Sequence, residues 1–500
     1  MSTSVVEAAE DTVRRRSTRG VGLASIVAVL AVGLGARIGL VPLGDNSFLT
    51  HLATGRLILA EGAVPSSDPY SFTATGAPWV VQSWFASVVY GIAEELGGLR
   101  GVQVVIGVLS AVLAALLWRL TGDRDPAGSA LLGRLALFLP AVVVGAGAWG
   151  SRPYLFGLVF LALAAWAALG GGRVRWLVAV GWVWGNTHGG WMLGVLLLGA
   201  LAVGAWIDAR TDAGGAGDPG GVLRERARRD RRVVALVGLG LLASVVGPLG
   251  VHALTFGIVT MRDRGAALAE IAEWRAPAFD GIADRAFLVL VVVCVVALVR
   301  RPSWRLGLAV ASGLPLALVS ARNLVVVSVV LVAAAAPAVR SWGSLRSGDP
   351  VRRGGAVLAL GAAFAVLLVV TPLTAPAADL RAYPVDAVRW LERAGLADGG
   401  ARIATQDFVG NYLTLRSGRS AAVFVDDRVD MYPSSVSADA TTLTRGRDGW
   451  DDVLDRHAID VVLWERDTPL GQILEVSPAW TLVWRDADWA VFLRSPARRS

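Results

Sequence analysis

Apolar stretches long enough to cross a bilayer recur along this 500-residue chain as far as residue 373, more than a water-soluble domain could bury. They fall near 21–43, 101–119, 130–149, 153–170, 174–187, 189–208, 233–257, 285–300, 304–320, 323–340 and 354–373. The expected architecture is an all-α polytopic membrane domain of about 11 transmembrane helices. Hydrophobic residues make up 54% of the chain and charged residues 17%, which agrees with that expectation. A twelfth stretch, Trp79 to Leu96, is shorter and carries Gln82, Ser83, Glu94 and Glu95.

Charge placement decides whether that stretch spans. Arg14, Arg15, Arg16 and Arg19 precede the first span, so residues 1–20 read as a cytoplasmic tail. The run 21–43 is too long for a signal-peptide core and reads as an uncleaved span. With 79–96 lying on the outer surface, the loops 119–134, 171–175, 210–232, 300–305 and 340–353 fall inside, and all five bear arginine. If it crossed, all five would invert. The resulting topology is a multi-pass plasma-membrane protein, N-terminus cytoplasmic, with everything beyond Pro372 exported. The Gly- and Arg-rich loop within 210–232 reads as a solvated linker.

The basic residues are all arginine, a pattern that GC-rich coding bias explains, and the net charge of +7 lies mostly in short loops. No basic face interleaved with aromatics appears, so nucleic acid is not an expected partner. The lone Cys294 excludes an intrachain disulfide framework.

Polar chemistry collects in the outer loops, above all in the first, residues 44–100. Asp45 stands just beyond span one, as a general base, a metal ligand or a helix-start aspartate in the turn Asp45-Asn46-Ser47. His51 and Arg56 sit on an expected surface helix, Phe48 to Glu61; Arg56 reads as a lipid-phosphate partner or a snorkelling side chain. Asp68 before Pro69 reads as a turn-maker ahead of a ligand, and Trp79 and Trp84 as interface anchors or platforms for a sugar ring or isoprenoid chain. Arg152, Arg322 and Asn323 stand at outer span ends, where charge is costly without a partner such as a lipid phosphate. His188, in Asn186-Thr187-His188-Gly189-Gly190-Trp191, reads as a ligand or as part of a hairpin turn. Glu270 and Glu273, three apart, share a face if helical, as paired carboxylates or a solvated edge.

From residue 375 to 500 the composition becomes mixed. Strand-like runs (IATQD, AAVFVDD, IDVVLWE, WTLVW, WAVFLR) alternate with helical patterns, the mark of a small extracytoplasmic α/β domain. The domain reading is therefore 1–20 tail, 21–374 membrane domain, 375–500 exported domain.

The constellation Asp45, His51-Leu-Ala-Thr-Gly-Arg56, Gly62-Ala-Val-Pro-Ser-Ser-Asp68-Pro, Trp79, Trp84, Arg152-Pro, Asn186-Thr-His188-Gly, Glu273-Trp and Arg322-Asn resembles bacterial polytopic proteins similar to the GT-C glycosyltransferase superfamily. That group includes protein mannosyltransferases and aminoarabinose transferases, and the tail segment Phe424-Val-Asp426-Asp427-Arg428 is similar as well. The resemblance implies a membrane glycosyltransferase that moves a sugar, with inversion, from a polyprenyl-phosphate donor to a cell-envelope acceptor. It implies Asp45 as catalytic acid, often near a divalent cation, with His51 and Glu273 secondary. Arg152, Arg322 and Arg56 would hold phosphate, and Asp68, Trp79, Trp84, His188 and Asn323 would line the substrate. The chain departs at Ser47 and Ser83, where relatives commonly carry acids, and has Ser151-Arg152-Pro153 where many carry another. Those departures set an alternative beside the enzyme: a non-catalytic GT-C-like protein that holds a lipid or glycolipid in envelope assembly. A transporter is disfavoured by the lack of internal repeats.

Overall fold

The computed structural model describes residues 21–122, 124–170, 172–211, 221–268, 272–397, 400–418 and 423–495. The arginine tail 1–20, loop residues 212–220 and Glu270 lie outside them. Four helices, Trp84–Leu120, Trp191–Thr211, Ile282–Arg300 and Gly354–Leu373, are long and apolar enough to cross a membrane. Shorter apolar helices cover Leu23–Gly39, Leu131–Ala146, Tyr154–Ala168, Val174–Gly185, Trp304–Val319 and Asn323–Val339. The chain is therefore built as a membrane protein.

Helix Asn323–Val339 is apolar all round and almost wholly buried, so it sits at the centre of the helix packing. Helix Gly354–Leu373 is equally apolar yet barely buried within the protein, the pattern of a surface that meets lipid. Close approach comes from small residues. A Cβ at Gly35 or Gly39 of the first helix would collide with Ser110 or its neighbours, so these glycines let Leu23–Gly39 lie directly on Trp84–Leu120.

Two expected segments differ. The stretch expected to span at 233–257 is helix Val222–Ala243 followed by turns through Gly247-Pro248 and a separate helix, His252–Leu268. Proline has no N–H to continue a helix, and Ser244 turns its hydroxyl back onto the Leu241 carbonyl. The arginine-rich stretch before it is helical from Val222, not a linker, and its Asp230 is buried in an ion pair with Arg305 (2.9 Å). The stretch 79–96 is extended to Ser83 and becomes helical at Trp84. It joins the next helix through a kink at Gly97–Gly98, where Gly98 has φ of 59°.

Beyond the membrane helices, four strands form one sheet in the order β1-β2-β4-β3: β1 (Ile403–Ala404), β2 (Val461–Glu465), β3 (Trp480–Arg485) and β4 (Trp489–Arg494). β1 runs parallel to β2, while β4 is antiparallel to both β2 and β3. Helices Val385–Arg393, Asp407–Ser417, Ser434–Thr444, Trp450–Arg456 and Pro469–Val476 surround the sheet. Among the described residues 423–427 of the expected strand AAVFVDD, no strand forms. Val423 makes only single bridges to Ser71 and Ile403, and the chain then turns as Asp426 accepts the Arg428 N–H (3.1 Å).

The outer loop 44–100 and this C-terminal region share a core. Tyr70, Trp79 and Val81 pack in one cluster with Phe424, Met431 and Trp464. Backbone bonds stitch the join: Leu43 N–H to Ala377 (2.8 Å), Asp379 N–H to Leu43 (2.9 Å) and Phe72 N–H to Val423 (3.1 Å). Helix Asn46–Glu61 is pressed onto Trp84–Leu120 at Gly55, where a Cβ would strike the Ser87 carbonyl.

Candidate active site

Helix Asn46–Glu61 places Ser47, Thr50, His51 and Thr54 on one face, because residues three and four apart stack on a helix. That face lines a cavity of about 580 Å³, closed on other sides by Trp79, Arg152, His188, Glu273, Arg322 and Asp427. A second cavity of about 940 Å³ is lined by Asp45, Asp284, Asp379 and Arg381. Arg152, Tyr154, Glu273 and Arg322 belong to both, so they form the wall between them.

That wall is a chain of ion pairs assembled from four separate segments. Arg152 donates through Nε to Asp45 Oδ2 (2.7 Å) and through Nη1 to Glu273 Oε2 (2.5 Å). Glu273 Oε1 accepts from Arg322 Nη1 (3.1 Å), and the Arg322 backbone N–H donates to the Glu273 carbonyl (3.0 Å). The Arg322 guanidinium also lies 5.0 Å from the Tyr154 ring centre and 5.1 Å from that of Trp274. Asp45 Oδ1 is buried with no hydrogen-bond partner.

At the far end, Arg322 Nη2 meets His188 Nε2 at 2.8 Å, while the Gly190 N–H donates to His188 Nδ1 (2.9 Å). Burial, with Arg322 and His51 adding to it, holds His188 well below the ordinary imidazole range, so the ring is neutral. A neutral imidazole offers one lone pair, so it cannot accept from both. Either the Gly190 N–H or the Arg322 N–H takes that lone pair, and the other donor is left over at the cavity wall, where an anion oxygen would satisfy it.

His51 hydrogen-bonds through Nδ1 to Ser87 Oγ (3.2 Å), and Ser87 donates to the Ser83 carbonyl (3.3 Å). Nδ1 is then the protonated nitrogen and Nε2 carries the lone pair. Burial pushes this imidazole down to about 4, so it stays neutral at physiological pH.

Among the expected residues, Asp45, Arg152, His188, Glu273 and Arg322 form one connected chain, and His51, Trp79 and Asn323 line the same cavity. The Asn323 amide donates to the Leu316 carbonyl (2.8 Å) at the start of its helix. Three expected ligands go elsewhere. Arg56 forks onto Glu94 (2.6 and 2.5 Å) and donates to the Leu415 carbonyl, so its charge is already used at the C-terminal join. Asp68 is buried, accepts the Tyr70 and Ser71 N–H groups and pairs with Arg428 (2.8 Å). Trp84 donates its indole N–H to Asn186 (2.9 Å) and packs against Trp182. Glu273 belongs to a short 3-10 turn, Ala272–Trp274, and its partners are the two arginines.

A divalent cation fits poorly. Among the described residues no three His, Cys, Asp or Glu side chains gather as a ligand group, and Asp45 shares its carboxylate with Arg152. Sequence reasoning also missed Asp427, although it lies in a segment whose likeness was noted. Nothing in a linear sequence says that residue 427 meets Ser47.

No family profile and no curated protein matches the sequence. Solved structures do resemble the fold. An oligosaccharyltransferase from Archaeoglobus fulgidus, in its apo form, superposes with a TM-score of 0.51 at 11% identity, over 89% of this chain and 69% of that one. ArnT from Cupriavidus metallidurans, bound to undecaprenyl phosphate, aligns over 94% of this chain and 98% of its own, at 14% identity and a TM-score of 0.43. Through the oligosaccharyltransferase, the chain has the GT-C membrane fold that the sequence resemblance implied.

Proposed function

We propose that this GT-C-fold chain is a glycosyltransferase of the bacterial plasma membrane, moving a sugar from a polyprenyl-phosphate donor to a cell-envelope acceptor on the outer face. The observation that carries the reading is the ion-pair wall between two cavities, with Arg322 and the neutral His188 in contact at one end and more N–H donors there than the imidazole can accept. Such donors suit a phosphate diester, and guanidinium groups bind phosphate oxygens with charge-assisted bonds. The lipid-linked sugar and the acceptor would meet at this wall, with the reacting carbon beside it. Arg322, His188 and Arg152 hold the phosphate as it leaves with the bonding electrons. A carboxylate receives the proton of the attacking acceptor, the role that the resemblance assigns to Asp45. The reading carries with it a topology of about 11 spans, with the first outer loop and the C-terminal region outside.

Two measurements test this reading. Undecaprenyl phosphate is expected to bind the purified protein in native mass spectrometry and to bind Arg322→Ala at least about tenfold more weakly, the loss of one charge-assisted bond. Cysteines introduced at Ser66 and Ser417, in a Cys294→Ser background, are expected to react with impermeant reagents from outside; labelling from the cytoplasm would invert the topology. Lipid that binds while no sugar ever leaves its lipid carrier would favour the non-catalytic holder, a reading consistent with Asp45 and Glu273 both being tied to arginine.

A further inference from the structure

We propose that the C-terminal region completes the reaction centre, and that Asp427 is the general base that takes the acceptor's proton. The inference rests on the glycosyltransferase reading and assigns its base.

The geometry starts at the seam between the outer loop and the C-terminal region. Asp427 lines the 580 Å³ cavity together with His51, Arg152, His188 and Arg322. Its Oδ2 accepts the Ser47 hydroxyl (2.6 Å) and its Oδ1 the Thr50 hydroxyl (2.9 Å), two groups one helical turn apart on the cavity face. Its backbone N–H donates to Asn411 Oδ1 (3.1 Å), and Asn411 in turn reaches Asn46 at the start of the outer helix. The carboxylate is thus fixed in place by both units.

Its partners set it apart from the acids of the wall. Asp45 and Glu273 are each engaged by arginine guanidinium groups. Asp427 binds neutral hydroxyls instead. The Arg428 guanidinium beside it is committed to Asp426 and Asp68. Facing charges come from Asp426 on its own segment and from Asp407 on helix Asp407–Ser417; Tyr383 also feels both Asp427 and Asp45. Burial, and then the Asp426 charge, push the Asp427 carboxyl up to about 6, against the pull of the Ser47 and Thr50 hydrogen bonds. A base performs best with a pKa near the working pH, and His51, at about 4, is too weak.

The step balances as one displacement. The acceptor oxygen or nitrogen forms a bond to the anomeric carbon while the bond from that carbon to the phosphate oxygen breaks. The bonding pair leaves on the polyprenyl phosphate toward Arg322 and His188. The acceptor's proton passes to Asp427, which returns it to water after product release.

The test uses full-length protein in membranes charged with labelled nucleotide sugars, following label that leaves the lipid-extractable fraction, with undecaprenyl phosphate binding measured in parallel. Asp427→Asn is expected to lower transfer about 100-fold or more while binding persists, and Asp427→Glu to restore part of it. The wild-type rate should fall below about pH 6 as the base is protonated. Ser47→Ala removes a bond that favours the charged carboxylate, so that acid limb should move to higher pH. Wild-type transfer in Asp427→Asn, or an acid limb unmoved in Ser47→Ala, would overturn the assignment while leaving the glycosyltransferase reading intact. A wild-type protein that neither binds undecaprenyl phosphate nor discharges label would overturn both.

Discussion

Asp45→Asn is expected to reduce label transfer by about 10²-fold or more while undecaprenyl phosphate binding holds or tightens. The two effects separate because Asp45 neutralises Arg152 through a 2.7 Å ion pair. Removing the carboxylate charge leaves the guanidinium with Glu273 alone, which Arg322 also shares. The wall then carries one more net positive charge, which favours a bound phosphate in both ground and transition states. Turnover falls because Arg152 loses the partner that aims it. The variant should keep the acid limb near pH 6 that Asp427 sets, so the two aspartates are told apart by pH profile as well as by binding. If binding collapses together with transfer, Asp45 serves the assembly of the outer loop and leaves the reaction centre.

Much of this architecture is legible in the residue pattern, and the limits follow from what a pattern encodes. Hydropathy found the apolar helices because a helix in lipid must be apolar over its whole length, whatever it packs against. It misjudged 233–257 because Gly247-Pro248 interrupts an apolar run without making it polar. Arg152 and Arg322 were legible as charges needing a partner because they stand near hydrocarbon; that Glu273 is that partner needed three dimensions. Arg56 fits the same rule and misled, since its partner is Glu94, 38 residues along the chain. Asp427 was invisible for a related reason. Its significance is the contact with Ser47, 380 residues away, and the aspartate pair 426–427 alone reads like any polar turn.

Arg428→Ala is expected to cost roughly 3–5 kcal/mol, the penalty for breaking a buried ion pair by removing one partner. The guanidinium joins Asp426 (2.6 Å) to Asp68 (2.8 Å), with side chains 5% and 0% exposed, and it lies 4.5 Å from the Trp79 ring centre and 4.9 Å from that of Tyr70. Truncation would leave two carboxylates facing each other in a nearly dry core, and also empty the space between two rings. Arg428→Lys should recover little, because a single ammonium cannot fork between two carboxylates while stacking on aromatic faces. The combined change Asp68→Asn, Asp426→Asn and Arg428→Met should melt nearer to wild type than Arg428→Ala, since the uncompensated charge is gone. Thermal unfolding with limited proteolysis of the C-terminal region measures the series. An Arg428→Ala protein that melts and resists protease like wild type would mean that the backbone bonds at Leu43 and Phe72 suffice to hold the seam. Because Asp427 is the next residue, a loosened seam also predicts lost transfer in Arg428→Ala with undecaprenyl phosphate still bound: the wall of Arg152, Glu273 and Arg322 belongs to the membrane helices and their loops, whereas the base arrives with the C-terminal region.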